Sequence, residues 1–490
     1  MTAKALMIQG TGSDVGKSII VAGLCRVAKN RGIKVAPFKP QNMSNNAAAC
    51  ADGGEIGRAQ ALQAMASGVA PQVDHNPVLL KPETDRIAQV VVQGKVHSTM
   101  QAASFISSRD SLLPPVLASF DRLSAENQLL LVEGAGSPAE TNLRARDIAN
   151  MGFARAANVP VCLLGDIERG GVIASIVGTK TVIDAQDAAM ITGFVINKFR
   201  GDPSLFDDGV VEIEERTGWP CFGVIPWITA TTRLPAEDAV AQLRYESGVD
   251  RPIRIAAPML SRMANFDDAD PLRLEPGVQF DFVPPGQPIP RDIDLIILFG
   301  SKSTIGDLHF LREQGWDHDI IAHARSGGRV LGICGGYQML GHAIVDSAGN
   351  DGNSGQVNGL GLLEVVTRME CNKTVRPVGA TCVDSGEHVA GYEIHVGETT
   401  GSDRARPMFQ VSGRDEGARS ADGRVSGTYV HGLMQNNAYR RAFLATLGQA
   451  TSEFDYGASV EDALNELASE LENSLDIDRL FACSRPTSSR

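Results

Sequence analysis

Ala5-Leu6-Met7-Ile8-Gln9-Gly10-Thr11-Gly12-Ser13-Asp14-Val15-Gly16-Lys17-Ser18 begins as an apolar, strand-like run, becomes a glycine-rich loop, and leads into residues 19–28, whose apolar period is helical. In that order, strand, loop and helix turn successive backbone N–H groups toward one point. The helix N-terminus adds partial positive charge there, which makes the turn a phosphate site. Lys17 is placed to neutralise phosphate charge and Ser18 to ligate Mg2+. Thr11, Gly12, Asp14 and Gly16 complete the expected nucleotide cradle. The step from Gly10 to Gly16 is one residue longer than GxxxxGK[ST], so the strict motif is absent.

Working outward, strand-like runs recur at residues 129–133, 160–166 and 191–197, with helical stretches between them. This alternation predicts an α/β fold with a mostly parallel sheet, whose ligands bind at the carboxyl ends of the strands. Glu133 ends one such run and is a candidate Mg2+ ligand, because a hard cation bridging phosphates prefers carboxylate oxygen. Asp52, in a Gly-flanked loop, is a second candidate, with a plain turn residue as the competing reading.

The longer loop resembles that of dethiobiotin synthetase and its relatives. Two further features in chain order strengthen the resemblance: Lys39-Pro40 after the second strand, and Glu133-Gly134-Ala135-Gly136 at a strand end. It implies ATP and Mg2+ as cofactors. It also implies a contact from Asn197 to adenine, with a capping role for that residue equally open.

A polar, weakly patterned stretch around residues 236–250 separates this half from a second series of strand-like runs at 253–257, 294–299, 329–333 and 427–430. The expected organisation is a P-loop synthetase domain at 1–235, a linker at 236–250, a second α/β domain at 251–445 and a helical tail at 446–490. In the tail, Val460, Leu464, Leu467, Leu471 and Leu475 form the stripe of an amphipathic helix.

Within the second series, Gly332-Ile333-Cys334-Gly335-Gly336 follows a buried run and precedes a helical one. The glycines permit a sharp strand-to-helix turn that projects Cys334, a thiol version of the nucleophile elbow. The helix N-terminus lowers the thiol pKa. Such a thiolate attacks a glutamine amide and releases ammonia, with the oxyanion held by the Gly335 N–H and a donor expected in Gly300-Ser301-Lys302. His431, in Gly427-Thr428-Tyr429-Val430-His431-Gly432, is the expected base, and His395 is its rival. Class I glutaminases usually carry Glu two residues after this His. Here the position is Leu433, so the imidazole must be oriented from elsewhere.

The 490-residue chain has a net charge of −13, which argues against general affinity for nucleic acid or an anionic membrane. The eight cysteines are scattered, with no CxxC pair, and no signal-peptide core or long apolar run is visible. These features predict a soluble cytoplasmic enzyme. The oligomeric state is open, a homo-oligomer included.

Joining such a synthetase half to a glutaminase without the usual Glu resembles the cobyric acid synthase and cobyrinic acid a,c-diamide synthase family. Lys39-Pro40-Gln41-Asn42-Met43-Ser44, Asn76-Pro77-Val78-Leu79-Leu80-Lys81-Pro82, Asn197-Lys198-Phe199-Arg200-Gly201-Asp202 and Gly391-Tyr392-Glu393-Ile394-His395 carry the resemblance across nearly the whole chain. Departures are Asn45 and Glu168, where Leu and Asp are usual, and Ser303, where the pattern has Asn. The resemblance implies amidation of corrinoid carboxylates, at positions b, d, e and g of adenosylcobyrinic acid a,c-diamide, with ATP as activator and glutamine as ammonia donor. Lys39 and Lys17 would assist phosphoryl transfer. Residues 41–46 and Lys81 are candidates for the corrinoid, with loop capping as the other reading. Two alternatives are the a,c-diamide synthase and a nucleotide-switched regulatory ATPase with a decayed glutaminase. The latter expects a second signature lysine in the loop and a lost nucleophile, and the chain has neither feature.

Overall fold

The computed structural model describes residues 3–83, 86–235, 252–347, 349, 355–448 and 452–487. The linker expected at 236–250 lies outside them. The chain divides into two compact units. One comprises Met1–Met43, Gly54–Leu234 and Ser459–Arg490, and the other Ser44–Gly53 and Pro235–Ala458. The tail is thus divided as well: from Ser459 onward it belongs with the first unit.

The first unit is built on strands β1 (Lys4–Gly10), β2 (Val35–Phe38), β3 (Leu129–Glu133), β4 (Val161–Asp166), β5 (Ile191–Phe199) and β6 (Cys221–Pro226). They lie in the order β6-β5-β4-β1-β3-β2, all parallel. The strand order reverses around β1, so a crevice opens at its carboxyl end, where the glycine loop leads into helix α1 (Lys17–Asn30). Strands buried on both faces read as continuous apolar runs, which is why β3 falls on the residues its sequence indicates.

Helix α3 (Tyr456–Ser474) carries the predicted stripe through Val460, Leu464, Leu467 and Leu471, all buried, while Leu475 lies just past its end, buried in a bridge to Gly223. Gly23 of α1 lets it approach, since a Cβ there would stand 2.4 Å from Leu471 Cδ1 and 2.9 Å from Leu467 Cγ. Arg26 pairs with Glu461 at 2.7 Å on the same interface. Beyond α3, Arg485–Pro486 pairs antiparallel with Lys4–Ala5, where β4 reaches only from Met7 onward.

The second unit has strands β7 (Ile253–Pro258), β8 (Val278–Val283), β9 (Leu295–Leu298), β10 (Arg329–Ile333), β11 (Ala418–Arg419) and β12 (Val425–Thr428) in the order β8-β7-β9-β10-β12-β11. All pairs are parallel except β11 with β12. Helix α2 (Gly335–Leu340) leaves β10 at Cys334. A long antiparallel hairpin, Val365–Cys382 with His388–Gly401, lies in a separate sheet that also contains the short strand Val430–His431. Among the described residues no helix is long and apolar enough to cross a membrane.

Candidate active sites

In the first unit Asp14 has φ 57° and Gly16 φ 98°. Left-handed positions of this kind curl the loop so that its amides converge. A side chain at Gly16 would meet Asn197 Nδ2 at 2.4 Å, so only glycine fits there. No side chain caps the helix at Gly16, which leaves its first N–H groups facing the loop mouth. Lys17 Nζ folds back to the Gly12 carbonyl at 2.8 Å. Thr11 donates its backbone N–H to Leu164 at 2.9 Å, so any phosphate contact it makes falls to its hydroxyl. Asn197 Nδ2 donates to the Val15 carbonyl at 2.8 Å and braces the loop. Lys198 adds a bond to the Asp14 carbonyl and an ion pair with Asp166 at 2.8 Å.

Four groups meet the Glu133 carboxylate. Ser18 Oγ (2.8 Å) and Lys39 Nζ (2.7 Å) reach one oxygen; Gln63 Nε2 (2.6 Å) and Gln60 Nε2 (3.3 Å) reach the other. Burial pushes the Glu133 carboxyl up, but the Lys39 charge and these hydrogen bonds outweigh it and hold the group below the usual carboxylate range. The adjacent Ser18 and Glu133 oxygens suit a hard cation such as Mg2+. The two glutamines escaped the sequence reading. Their spacing of three on one helical face, next to a glycine turn, was the available signal. Asp52 is exposed on a turn of the Ser44–Gly53 segment, which is counted with the second unit. Lys81 is buried and paired with Glu55 at 2.9 Å.

In the second unit Cys334 has φ 55° and ψ −109°, a strained conformation held between β10 and α2. Gly336 allows the close packing of that turn, since a Cβ there would stand 1.9 Å from the Leu298 carbonyl. The Cys334 N–H is bonded to Thr428 O at 2.8 Å and its thiol lies 3.3 Å from Ile394 O. Cys334 and His431 flank a common point: a Cβ on Gly300 would stand 3.6 Å from Cys334 Cβ and 3.4 Å from His431 Cε1. Amides alternate in direction along an antiparallel ladder. Lys302 donates to Arg262, so the Ser301 N–H faces the other way, and a Cβ on Gly335 would be 2.8 Å from that nitrogen. Gly335 and Ser301 therefore lie side by side next to Cys334.

His431 is fully buried. Its ring stacks on Tyr392 at 4.9 Å, and Nδ1 lies 3.2 Å from the Asn265 carbonyl. Leu433 packs into the core. The carboxylates beside the imidazole come from elsewhere in the chain: Asp267 and Asp268 each place an oxygen within 4.8 Å of the other and of a His431 ring nitrogen. Asp268 accepts from the Gly432 and Met434 N–H groups, and Asp267 from the Tyr392 hydroxyl at 2.6 Å. No sequence signal separated this pair from the solvated acidic turn that Asp267-Asp268-Ala269-Asp270 suggests. His395 stacks on Tyr429 at 3.9 Å, and burial pushes its pKa down to about 4.

A nucleotide-binding domain and a glutamine amidotransferase domain in one chain define a glutamine-dependent carbon–nitrogen ligase. Residues 6–240 match the CobQ/CobB/MinD/ParA nucleotide binding domain, and residues 254–439 the CobB/CobQ-like glutamine amidotransferase domain. The cobyric acid synthase of Hyphomonas neptunium is 64% identical over 485 residues, 98% of each chain. That of Paracoccus denitrificans is 62% identical, covering 98% of this chain and 100% of its own. That of Cereibacter sphaeroides is 59% identical with the same coverage. The chain belongs to the cobyric acid synthase family.

Proposed function

We infer that the enzyme amidates the b, d, e and g carboxylates of adenosylcobyrinic acid a,c-diamide in the cytoplasm, using ATP and glutamine. The observation that carries this reading is that one chain holds an uncapped glycine-loop helix beside the Lys39–Glu133 pair and a Cys334 elbow beside His431.

In the glutaminase unit, His431 takes the Cys334 proton as sulfur attacks the glutamine amide carbon. The C–N bond breaks and ammonia leaves with that proton. Water then hydrolyses the thioester to glutamate and free thiol. The Gly335 and Ser301 N–H groups meet the oxyanion in both halves. In the synthetase unit, a corrinoid carboxylate oxygen attacks the γ-phosphorus of ATP, and the bond to the ADP oxygen breaks. Lys17 and Lys39 offset the charge on the transferred phosphoryl group. Ammonia displaces phosphate from the acyl phosphate, giving the amide, while its third hydrogen leaves with the phosphate as hydrogen phosphate. Ser18 and Glu133 would hold Mg2+. When bound, Mg2+ supplies charge neutralisation across the phosphate oxygens.

The test is incubation of purified enzyme with ATP, Mg2+, glutamine and the a,c-diamide, following corrinoid mass and ADP. Stepwise conversion of four carboxylates to amides supports the reading. A corrinoid left unchanged while cobyrinic acid is amidated overturns it in favour of diamide synthesis.

A further inference from the structure

Asn265 occupies a left-handed conformation, φ 52°, that non-glycine residues adopt rarely. Two reciprocal hydrogen bonds hold it there. The Asn265 N–H donates to Asn46 Oδ1 at 2.9 Å, and the Ala47 N–H donates to Asn265 Oδ1 at 2.8 Å. Asn46 and Asn265 are each 4% exposed. A buried, reciprocally satisfied pair of this kind fixes a backbone more tightly than a solvated turn does. The carbonyl it fixes is the one that accepts from His431 Nδ1. A carbonyl acceptor at Nδ1 keeps the proton on that nitrogen and leaves Nε2 as the basic one.

Asn46 and Ala47 belong to Ser44–Gly53, the segment that leaves the first unit after Met43 and rejoins it at Gly54. Just before it in sequence, Asn42 donates to Gln60, and Gln60 donates to Glu133. Each hydrogen bond in this series lies within one unit, and the chain from Asn42 to Asn46 joins the two sets.

We propose that Asn46 and Asn265 form a latch that positions the His431 imidazole, substituting for the Glu that Leu433 replaces. Through it, the state of the Ser44–Gly53 segment sets glutaminase turnover. Both are positioning residues, acting on the thiol only through His431. The proposal rests on His431 being the base for Cys334.

The experiment measures glutamine hydrolysis in the full-length enzyme and in Asn46→Ala, Asn46→Asp, Asn265→Ala and Asn265→Gly, with thermal melting as the check on folding. Loss of an orienting partner lowers kcat roughly tenfold or more. The expected result is that drop in Asn46→Ala with KM little changed, and substantial recovery in Asn46→Asp, which keeps the acceptor oxygen. Asn265→Gly, which adopts positive φ freely, should outperform Asn265→Ala. A merely structural role predicts that order in melting temperature alone, with kcat unchanged in each variant that folds. Unchanged kcat in folded Asn46→Ala, or Ala at least equal to Gly at 265, overturns the latch. Parent enzyme that fails to hydrolyse glutamine overturns the glutaminase reading itself, and the latch with it.

Discussion

The Lys39 ammonium stands 2.7 Å from the Glu133 carboxylate, with both side chains almost wholly withdrawn from water. A carboxyl whose folded pKa is depressed adds stability above its unfolded pKa, and that stability is lost as pH falls through the folded value. Lys39→Met strips the partner and leaves a buried charge, at a cost on the order of 3–5 kcal/mol at pH 8. The cost shrinks toward pH 5, where the orphaned carboxyl can take a proton, and Glu133→Gln added to Lys39→Met recovers most of it. Urea denaturation at both pH values is the measurement. A penalty that is independent of pH and unrelieved in the double variant would sink the argument.

Glu416 gives the opposite sign. Burial pushes its carboxyl from 4.5 up to about 7, against hydrogen bonds from Thr428 and Tyr429 that lower it. A raised folded pKa gives stability that is fully present below the unfolded value and lost as pH rises through the folded one, here between about 4.5 and 7. Glu416→Gln removes that titration. The stability of the variant relative to the parent should therefore climb from pH 5 to pH 8, by about 3 kcal/mol. Paired melting curves across this range decide it, and a constant difference would refute it.

Gly300→Ala fills the point between Cys334 and His431. The new methyl group would stand 2.6 Å from the Ala264 carbonyl and 3.4 Å from His431 Cε1, so strand and imidazole must shift. A displacement of about 1 Å costs on the order of a hundredfold in rate. Glutamine-dependent synthesis should fall by that factor while ammonia-dependent synthesis holds.

Cys334→Ala divides the labour more sharply. Glutamine hydrolysis should disappear, and synthesis supplied with ammonium salt should continue at a rate near the parent's. Loss of both activities in a folded variant would contradict two separable sites.

The two candidate centres could be nominated from sequence because each is announced by a local pattern. β3 and β10 each carry a buried stretch, Leu129–Val132 and Val330–Ile333, that leads to a glycine turn, and each emerged with the bounds its residues suggest. The stripe from Val460 to Leu475 was equally plain as a helix, but periodicity names a buried face and not the element that covers it, so its docking on α1 was not foreseeable. The surroundings of His431 were hidden for a different reason. Asn46 and Asn265 are 219 residues apart, and a hydrogen bond at that separation leaves no spacing to read. Runs rich in Asn and Asp look the same in sequence whether they face water or, like Asp267 and Asp268, lie buried.

The return of Ser459–Arg490 to the first unit has a consequence for biosynthesis. Chains emerge from the ribosome N-terminus first, and domains tend to fold as they appear. Here the apolar flank of α1 around Gly23 must wait, bare, until Leu467 and Leu471 have been translated, after the whole glutaminase half. The first unit therefore cannot be completed before the whole second unit has been synthesised. A ribosome that stalls midway leaves a nascent chain with an apolar helix flank bare, the kind of surface that chaperones and proteases find.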